Sequence, residues 1–469
     1  MLQHLKIKPN FLHTDLSYGR MLLLSMLLYA AYLPFSEYTV LPYDAAQYWD
    51  LAAYFSDHRH FSLLHYPDGL RGYLYPLMLF GPWVVQQVSA GLIMPLGMAK
   101  VLGVGWSGML FGVAIPQLWK QVTGRPMNAA RWLVLLGLTF LFWRDYFSFT
   151  ISDMPAVTLL LLGLGALSRP GWRWALVAGG LLAAAINIRP IYISSVPGAL
   201  LLLAFSRRSA ELWLGRCAGL VLGSALVLLP QGLINWRHFH QATPLVLARL
   251  PTGQPLYLNQ LGWGTAYQRY ESSLIPERPR ALVFADSVGK RALAREPNHR
   301  FASYRHYLQF GSRQPIIIGT RYLKHLFNGL DVWYSTPYPR ELHPTGQAAL
   351  RLLNYALLGL GIWLALSAGL KHRRAAWPPL AAATLLALLL PCLLVLPTLI
   401  ECRFLLPLHL LVLTIVAATW QPGVAWRGLG APMRRVALVA VAAGWLWGCW
   451  HVSEATAGQL RPPSEAPQD

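Results

Sequence analysis

Apolar runs separated by short polar stretches fill almost all of the 469-residue chain. A helix needs about 20 apolar residues to cross a bilayer. Runs near that length predict helices over 21–35, about 92–119, 132–147, 156–167, 174–188, 191–205, about 212–234, 348–370, about 376–395, 405–420 and 436–450. The pattern therefore predicts about eleven transmembrane helices. Residues 73–87 are also apolar, but Pro76 and Pro82 interrupt them, which suits a helix lying in or dipping into one membrane surface. Polarity rises sharply over 235–346. Within that stretch Ile317, Tyr322, Leu323, Leu326, Phe327 and Leu330 surround Arg321 and Lys324, which predicts an amphipathic helix over 315–330, either on the membrane surface or packed within the polar segment.

Charge orients these runs. Positive residues concentrate in cytoplasmic loops, and Lys6, Lys8 and Arg20 precede the first run with no convincing small-residue cleavage site after it. This reads as an uncleaved signal anchor with a cytoplasmic N-terminus. Lys120, Arg125 and Arg131, then Arg169 and Arg173, Arg207 and Arg208, the run 371–374, and Arg427, Arg434 and Arg435 follow alternate helices as cytoplasmic loops. The chain divides into an N-terminal transmembrane module (1–234) with a first outer loop at about 36–91, an outer segment (235–346), C-terminal transmembrane helices (347–451) and a Pro-rich polar tail (452–469). The tail reads as disordered.

Composition agrees with this division. Apolar residues make up 55% and charged residues 12%, against about 25% charge in soluble proteins. The class is an all-α polytopic membrane protein. The formal charge of +20 is scattered between apolar runs rather than gathered in a tract, which argues against nucleic acid as a partner. Richness in Leu, Ala and Arg suits a bacterial inner membrane, with the outer loops periplasmic. Cys217, Cys392, Cys402 and Cys449 show no metal-ligand spacing; a disulfide between Cys392 and Cys402 stays open.

Under this topology Asp44, Asp153, Arg189, Glu401 and Arg403 fall at the outer ends of different helices. Each has an ordinary explanation: a solvated acid, an N-cap, a lipid-phosphate contact, a local ion pair. Together they predict a polar cavity at the membrane surface. A carboxylate accepts the proton of an attacking hydroxyl, while arginines neutralise a departing phosphate. That pairing suits glycosyl transfer better than two-carboxylate hydrolysis, where the arginines have no role. No Walker loop, His-Glu-x-x-His pair or nucleophile elbow is present. His58, His60 and His65 share their loop with Asp57 and Arg59, a pattern of interfacial solvation; a divalent metal requirement stays open, and no cofactor motif is legible.

The arrangement resembles the GT-C superfamily of integral membrane glycosyltransferases, which includes protein O-mannosyltransferases and lipid A aminoarabinose transferases. The resemblance rests on Tyr43-Asp44 with Tyr48 in the first outer loop, Arg71-Gly72-Tyr73-Leu74-Tyr75-Pro76, Ser152-Asp153-Met154-Pro155, Arg189-Pro190, and Glu401-Cys402-Arg403-Phe404 with Pro407. It implies a polyprenyl-phosphate sugar donor and transfer on the non-cytoplasmic face. It further implies that Asp44 is the catalytic base, Asp153 a second catalytic acid group, and Arg71, Arg189 and Arg403 the donor-phosphate contacts. Tyr43, Tyr48, Asp50 and Glu401 would bind substrate. The first loop lacks the double proline of the mannosyltransferases and the chain lacks their large C-terminal soluble domain, so sugar and acceptor do not carry over; a glycan, lipid or protein acceptor all fit. Two other classes compete. A lipid-linked oligosaccharide polymerase, ligase or flippase would also use many spans and outer arginines, and a transporter would place polar groups at mid-membrane within internal repeats.

Overall fold

A computed structural model describes residues 14–463 except 59, 90–91, 93, 207–209, 275–279, 342–343, 372–377 and 421–431. Lys6, Lys8, Arg59, Arg207, Arg208, the basic run 372–374 and Arg427 thus lie outside the described residues. In chain order the helices begin with α1 (Tyr18–Tyr32), α2 (Tyr43–Ala52) and α3 (Leu74–Val88), the hairpin β1 (Ser56–Asp57) and β2 (His60–Phe61) lying between α2 and α3. Next come α4 (Pro95–Ser107), which continues through a π-helical turn into α5 (Ile115–Thr123), and α6 (Ala129–Trp143). Helices α7 (Asp153–Leu167), α8 (Trp172–Ile188), α9 (Val196–Phe205) and α10 (Ala210–Phe239) complete the N-terminal half. The polar segment after α10 holds α11 (Leu256–Ala266), the antiparallel pair β3 (Tyr267–Ser273) and β4 (Arg280–Ala285), then α12 (Ser287–Ala294), α13 (Tyr304–Arg313) and α14 (Pro315–Leu330). Last are α15 (Gln347–Lys371), α16 (Pro379–Val395), α17 (Leu406–Thr419) and α18 (Pro432–Ala457).

Among the described residues six helices are long and apolar enough to cross a membrane, and four more are apolar but shorter. The protein is an α-helical, multi-pass membrane bundle. Small residues bring its helices together, as expected where lipid supplies no hydrophobic drive between them. A Cβ on Gly179 would collide with the backbone of Leu220, and one on Gly223 with the backbone of Leu176, so α8 and α10 touch main chain to main chain.

Helix ends segregate into two sets. At one end Ala129 donates to the Thr14 carbonyl, Ser168 to Gln121, and Arg216 to the Leu167 and Ser206 carbonyls; this end carries Lys120, Arg125 and Arg169. At the other end α7, α8, α16 and α17 begin or stop around a polar cavity. A buried polar chain ties the spans together: Trp143 of α6 donates to His409 Nδ1 on α17 at 3.0 Å, His409 Nε2 lies 2.9 Å from Asn354 Oδ1 on α15, and Asn354 donates to the Leu330 carbonyl. Because Trp143 can only donate, Nδ1 is the acceptor and the proton sits on Nε2.

One expectation is corrected and one open question answered. The tail is ordered through residue 463: α18 runs on to Ala457, Leu460 is buried against Leu282, Trp333 and Tyr334, and Arg461 exchanges both backbone hydrogen bonds with Val283 of β4. Composition hid this because the ordering comes from partners far back in the chain, Leu282, Val283, Trp333 and Tyr334; residues 464–469 lie outside the described residues. Cys392 and Cys402 are free thiols. Cys402 meets the Tyr146 hydroxyl at 3.3 Å, while Cys392 points back along α16 to the Leu388 carbonyl.

Candidate active site

The site is built on an unusual backbone. Tyr43, the residue after Pro42 and the first of α2, has φ 47°, a left-handed conformation that costs about 1–2 kcal/mol for a non-glycine residue. Tertiary contacts hold it there: the Tyr43 ring stacks on Tyr338 at 5.5 Å and its hydroxyl donates to the Ser273 carbonyl. The next residue, Asp44, lines a cavity of about 850 Å³.

Within that cavity opposite charges alternate. Arg71 Nη2 donates to Asp44 Oδ1 at 2.8 Å and also to Gln47 Oε1 at 2.5 Å, with its guanidinium 4.3 Å above the Tyr48 ring. Gln47 lies three residues after Asp44 and so shares its helix face. Arg403 Nη2 donates to Asp44 Oδ2 at 3.1 Å, its Nε bonds Glu401 Oε2 at 2.7 Å, and its Nη1 lies 3.6 Å from Asp153 Oδ2. Asp153 in turn pairs with Arg189, which stands over the Phe404 ring at 5.1 Å. Three arginines and three carboxylates from five chain segments therefore form one continuous network.

Exposure differs along it. Asp153 is 2% exposed and Arg403 9%, whereas 35% of the Asp44 side chain is open. Asp153 occupies the first turn of α7 but caps nothing; its carboxylate turns to the arginines instead. Burial raises the pKa of Asp44, but Arg403 and then Arg71 outweigh it and hold the carboxyl at about 2. Arg71 is pushed above its ordinary value because Tyr48 and Asp44 together exceed the opposing effect of burial.

Of the sequence-derived residues, Tyr43, Asp44, Tyr48, Arg71, Asp153, Arg189, Glu401 and Arg403 all line the cavity. Asp50 does not. Six residues beyond Asp44, it lies on another face of α2, exposed, with its pKa raised by partial burial. The histidines of the first loop are also elsewhere: His58 is exposed beside Asp57, and His65 meets the Tyr54 carbonyl. Among the described residues no group of three or more His, Cys, Asp or Glu side chains is placed to hold a metal ion.

The remaining lining was not legible in the sequence. Tyr270 and Ser272 of β3, Trp263 of α11 and Pro463 of the tail form one wall, and Ile191, Ile193 and Leu394 an apolar side. Gln47, which accepts from Arg71 without lining the cavity, carried a local signal in its spacing from Asp44. Ile193, in the turn before α9, and Leu394 of α16 line the cavity and are each 44% exposed, so the polar chamber borders an apolar outer surface. The chain matches no known family model, no curated protein and no solved structure.

Proposed function

We propose that this protein is a membrane glycosyltransferase that moves a sugar from a polyprenyl-phosphate donor to a hydroxyl acceptor, a glycan, lipid or protein, with inversion at the anomeric carbon. The observation that carries the reading is a partly open carboxylate, Asp44, gripped by two arginines in a chamber with an apolar, partly exposed side. An isoprenoid tail fits along Ile193 and Leu394 while its phosphate stays with the arginines. Depth supports the same donor. Three of the four spans that end at the cavity are short, 15 residues in α7 and 17 in each of α8 and α16, or about 22–26 Å at 1.5 Å per residue, less than the about 30 Å of hydrocarbon. A site at those ends is recessed just below the lipid headgroups, within reach of a lipid-borne phosphate.

In this mechanism the acceptor oxygen attacks the anomeric carbon, its proton passes to Asp44, the bond from that carbon to the phosphate oxygen breaks, and the polyprenyl phosphate leaves with its charge on arginine. With three arginines already matched by three carboxylates, an incoming phosphate competes for Arg71 and Arg403. As they turn to the phosphate, Asp44 loses the cations that suppress its basicity. Binding of donor thereby prepares the base. Arg189 and Asp153 hold the far side of Arg403 in place.

The topology proposed with this function has eleven crossings: the ten apolar helices and α6, with the cavity on the non-cytoplasmic face. The test is transfer of labelled sugar from a polyprenyl-phosphate monosaccharide by purified protein in lipid. Activity in the parent and its loss in Asp44→Asn, measured at a temperature where both proteins are folded, are the expected results. Full activity in Asp44→Asn removes the base assignment; transfer only from a polyprenyl-diphosphate oligosaccharide moves the protein to the polymerase and ligase class.

A further inference from the structure

Helix α14 is inside out for a helix in water. Its protein-facing stripe is polar: Arg321, His325 and Asn328, at spacings of four and three, are 2%, 0% and 3% exposed. Its large outward side chains are apolar, Ile316 82% and Leu323 70% exposed, with Gly319, Thr320 and Lys324 beside them. A surface helix in water places these residues the other way round. The buried polar groups have specific roles: Asn328 donates to the Gln268 carbonyl at 3.0 Å, the His325 ring nitrogens face the Leu396 and Tyr267 carbonyls, and Arg321 lies 3.5 Å from Asp286.

We infer that α14 lies in the bilayer leaflet that contains the cavity, with Ile316 and Leu323 against acyl chains and Lys324 at the phosphates. Three observations beyond exposure commit the face to lipid. The first is continuity with the membrane-facing surface: Tyr322, Leu326 and Leu330 pack on Cys392, Val395 and Leu396 at the end of apolar α16, whose Leu393 and Leu394 are exposed. The second is depth. Asn354 holds the Leu330 carbonyl and Tyr355 stacks with Phe327, and these partners lie about two turns inside the α15 span, roughly 10 Å from its start. The third is charge: Lys324 follows Leu323, and Arg313 ends the preceding helix, both exposed, so cations rim the apolar stripe where long side chains reach headgroup phosphates. Sixteen residues span only about 24 Å, so α14 stays within one leaflet. Together with α16 it makes the side of the cavity a boundary with lipid rather than with water, and this holds whatever reaction the cavity performs.

The test uses the full chain in lipid nanodiscs containing anionic lipid, with a nitroxide attached at Leu323→Cys and, in a separate protein, at Ile316→Cys. The unsubstituted chain gives the background from the native thiols, and Arg295→Cys, on the exposed end of α12, is the water-facing reference. Collision with dissolved oxygen should exceed collision with a water-soluble nickel chelate at Leu323 and Ile316, and the order should reverse at Arg295. Greater access of the nickel chelate at both α14 positions overturns the inference. So does exclusion of both reagents, which means that protein, not lipid, covers the face.

Discussion

Arg403 donates to Asp44 across 359 positions of sequence, Nη2 to Oδ2 at 3.1 Å, and the same guanidinium faces Glu401 and Asp153. The last membrane-level motif in the chain is thereby bolted to the first. Arg403→Gln leaves three carboxylates short of the cation they share, and loss of one partner from a buried ion pair costs about 3–5 kcal/mol. The melting temperature in detergent should fall clearly. Arg403→Lys should recover only part of the loss, because a single ammonium cannot present the planar fork that reaches all three acids. A parent-like melting curve for Arg403→Gln would show that the network contributes nothing to the fold.

The Asp44 carboxyl also gives a pH signature. Its pKa is lowered from 3.8 to about 2 in the folded protein, so the stabilisation it provides is complete above the ordinary carboxylate range and is lost as pH falls toward about 2. Arg71→Gln removes one of the two cations responsible. The carboxyl should then titrate at higher pH, and the acid limb of the pH profile for kcat/KM in sugar transfer should move upward with it. An acid limb at the same pH in Arg71→Gln and parent separates Asp44 from the proton transfer.

Helix positions were legible because lipid imposes a length and polarity rule on each span separately. The expectations for 315–330 and 73–87 correspond to α14 and α3. What the sequence did not reveal depends on long-range contact. The face of α14 is one case: nothing in the amphipathic pattern around Arg321 tells which way it points, and only its pairing with Asp286 turns it inward. Asp50 is another, since an acid six residues from Asp44 joins the site only if the backbone between them is not helical. The left-handed Tyr43 has no signal in its own residue type; Tyr338 and Ser273, far along the chain, impose it.

Behind the cavity a second charged group is closed to solvent. Arg269, 1% exposed, bonds Glu271 at 2.7 Å and Asp331 at 3.1 Å and lies 3.7 Å above the Trp333 ring. Asp331 also accepts from Tyr355 of α15 and Ser453 of α18, so this arginine joins β3 to two spans. Arg269→Met should destabilise the protein by about 3–5 kcal/mol, as expected when a buried acid loses its partner. Adding Glu271→Gln should recover part of that loss, because the stranded charge is then gone. Thermal unfolding of the two single variants and the double variant measures the coupling; strict additivity would mean that Arg269 and Glu271 do not act as a pair.

The ordered tail makes the last prediction. Val283 donates to the Arg461 carbonyl at 2.8 Å and accepts from its amide at 3.0 Å, Leu460 is 6% exposed, and Pro463 lines the cavity. A chain ending at Ala457 loses all three features, while one ending at Pro463 keeps them. Burial of one leucine contributes about 2 kcal/mol, so the shorter chain should melt lower. The local change is more diagnostic. Without residue 461 the Val283 amide has no strand partner on that edge of β4, and its hydrogen exchange should accelerate, whereas the Tyr270 amide, bonded to the Ile400 carbonyl on the opposite side of the sheet, should keep its protection. Equal protection of Val283 in both chains would mean that the tail does not hold the cavity wall in solution.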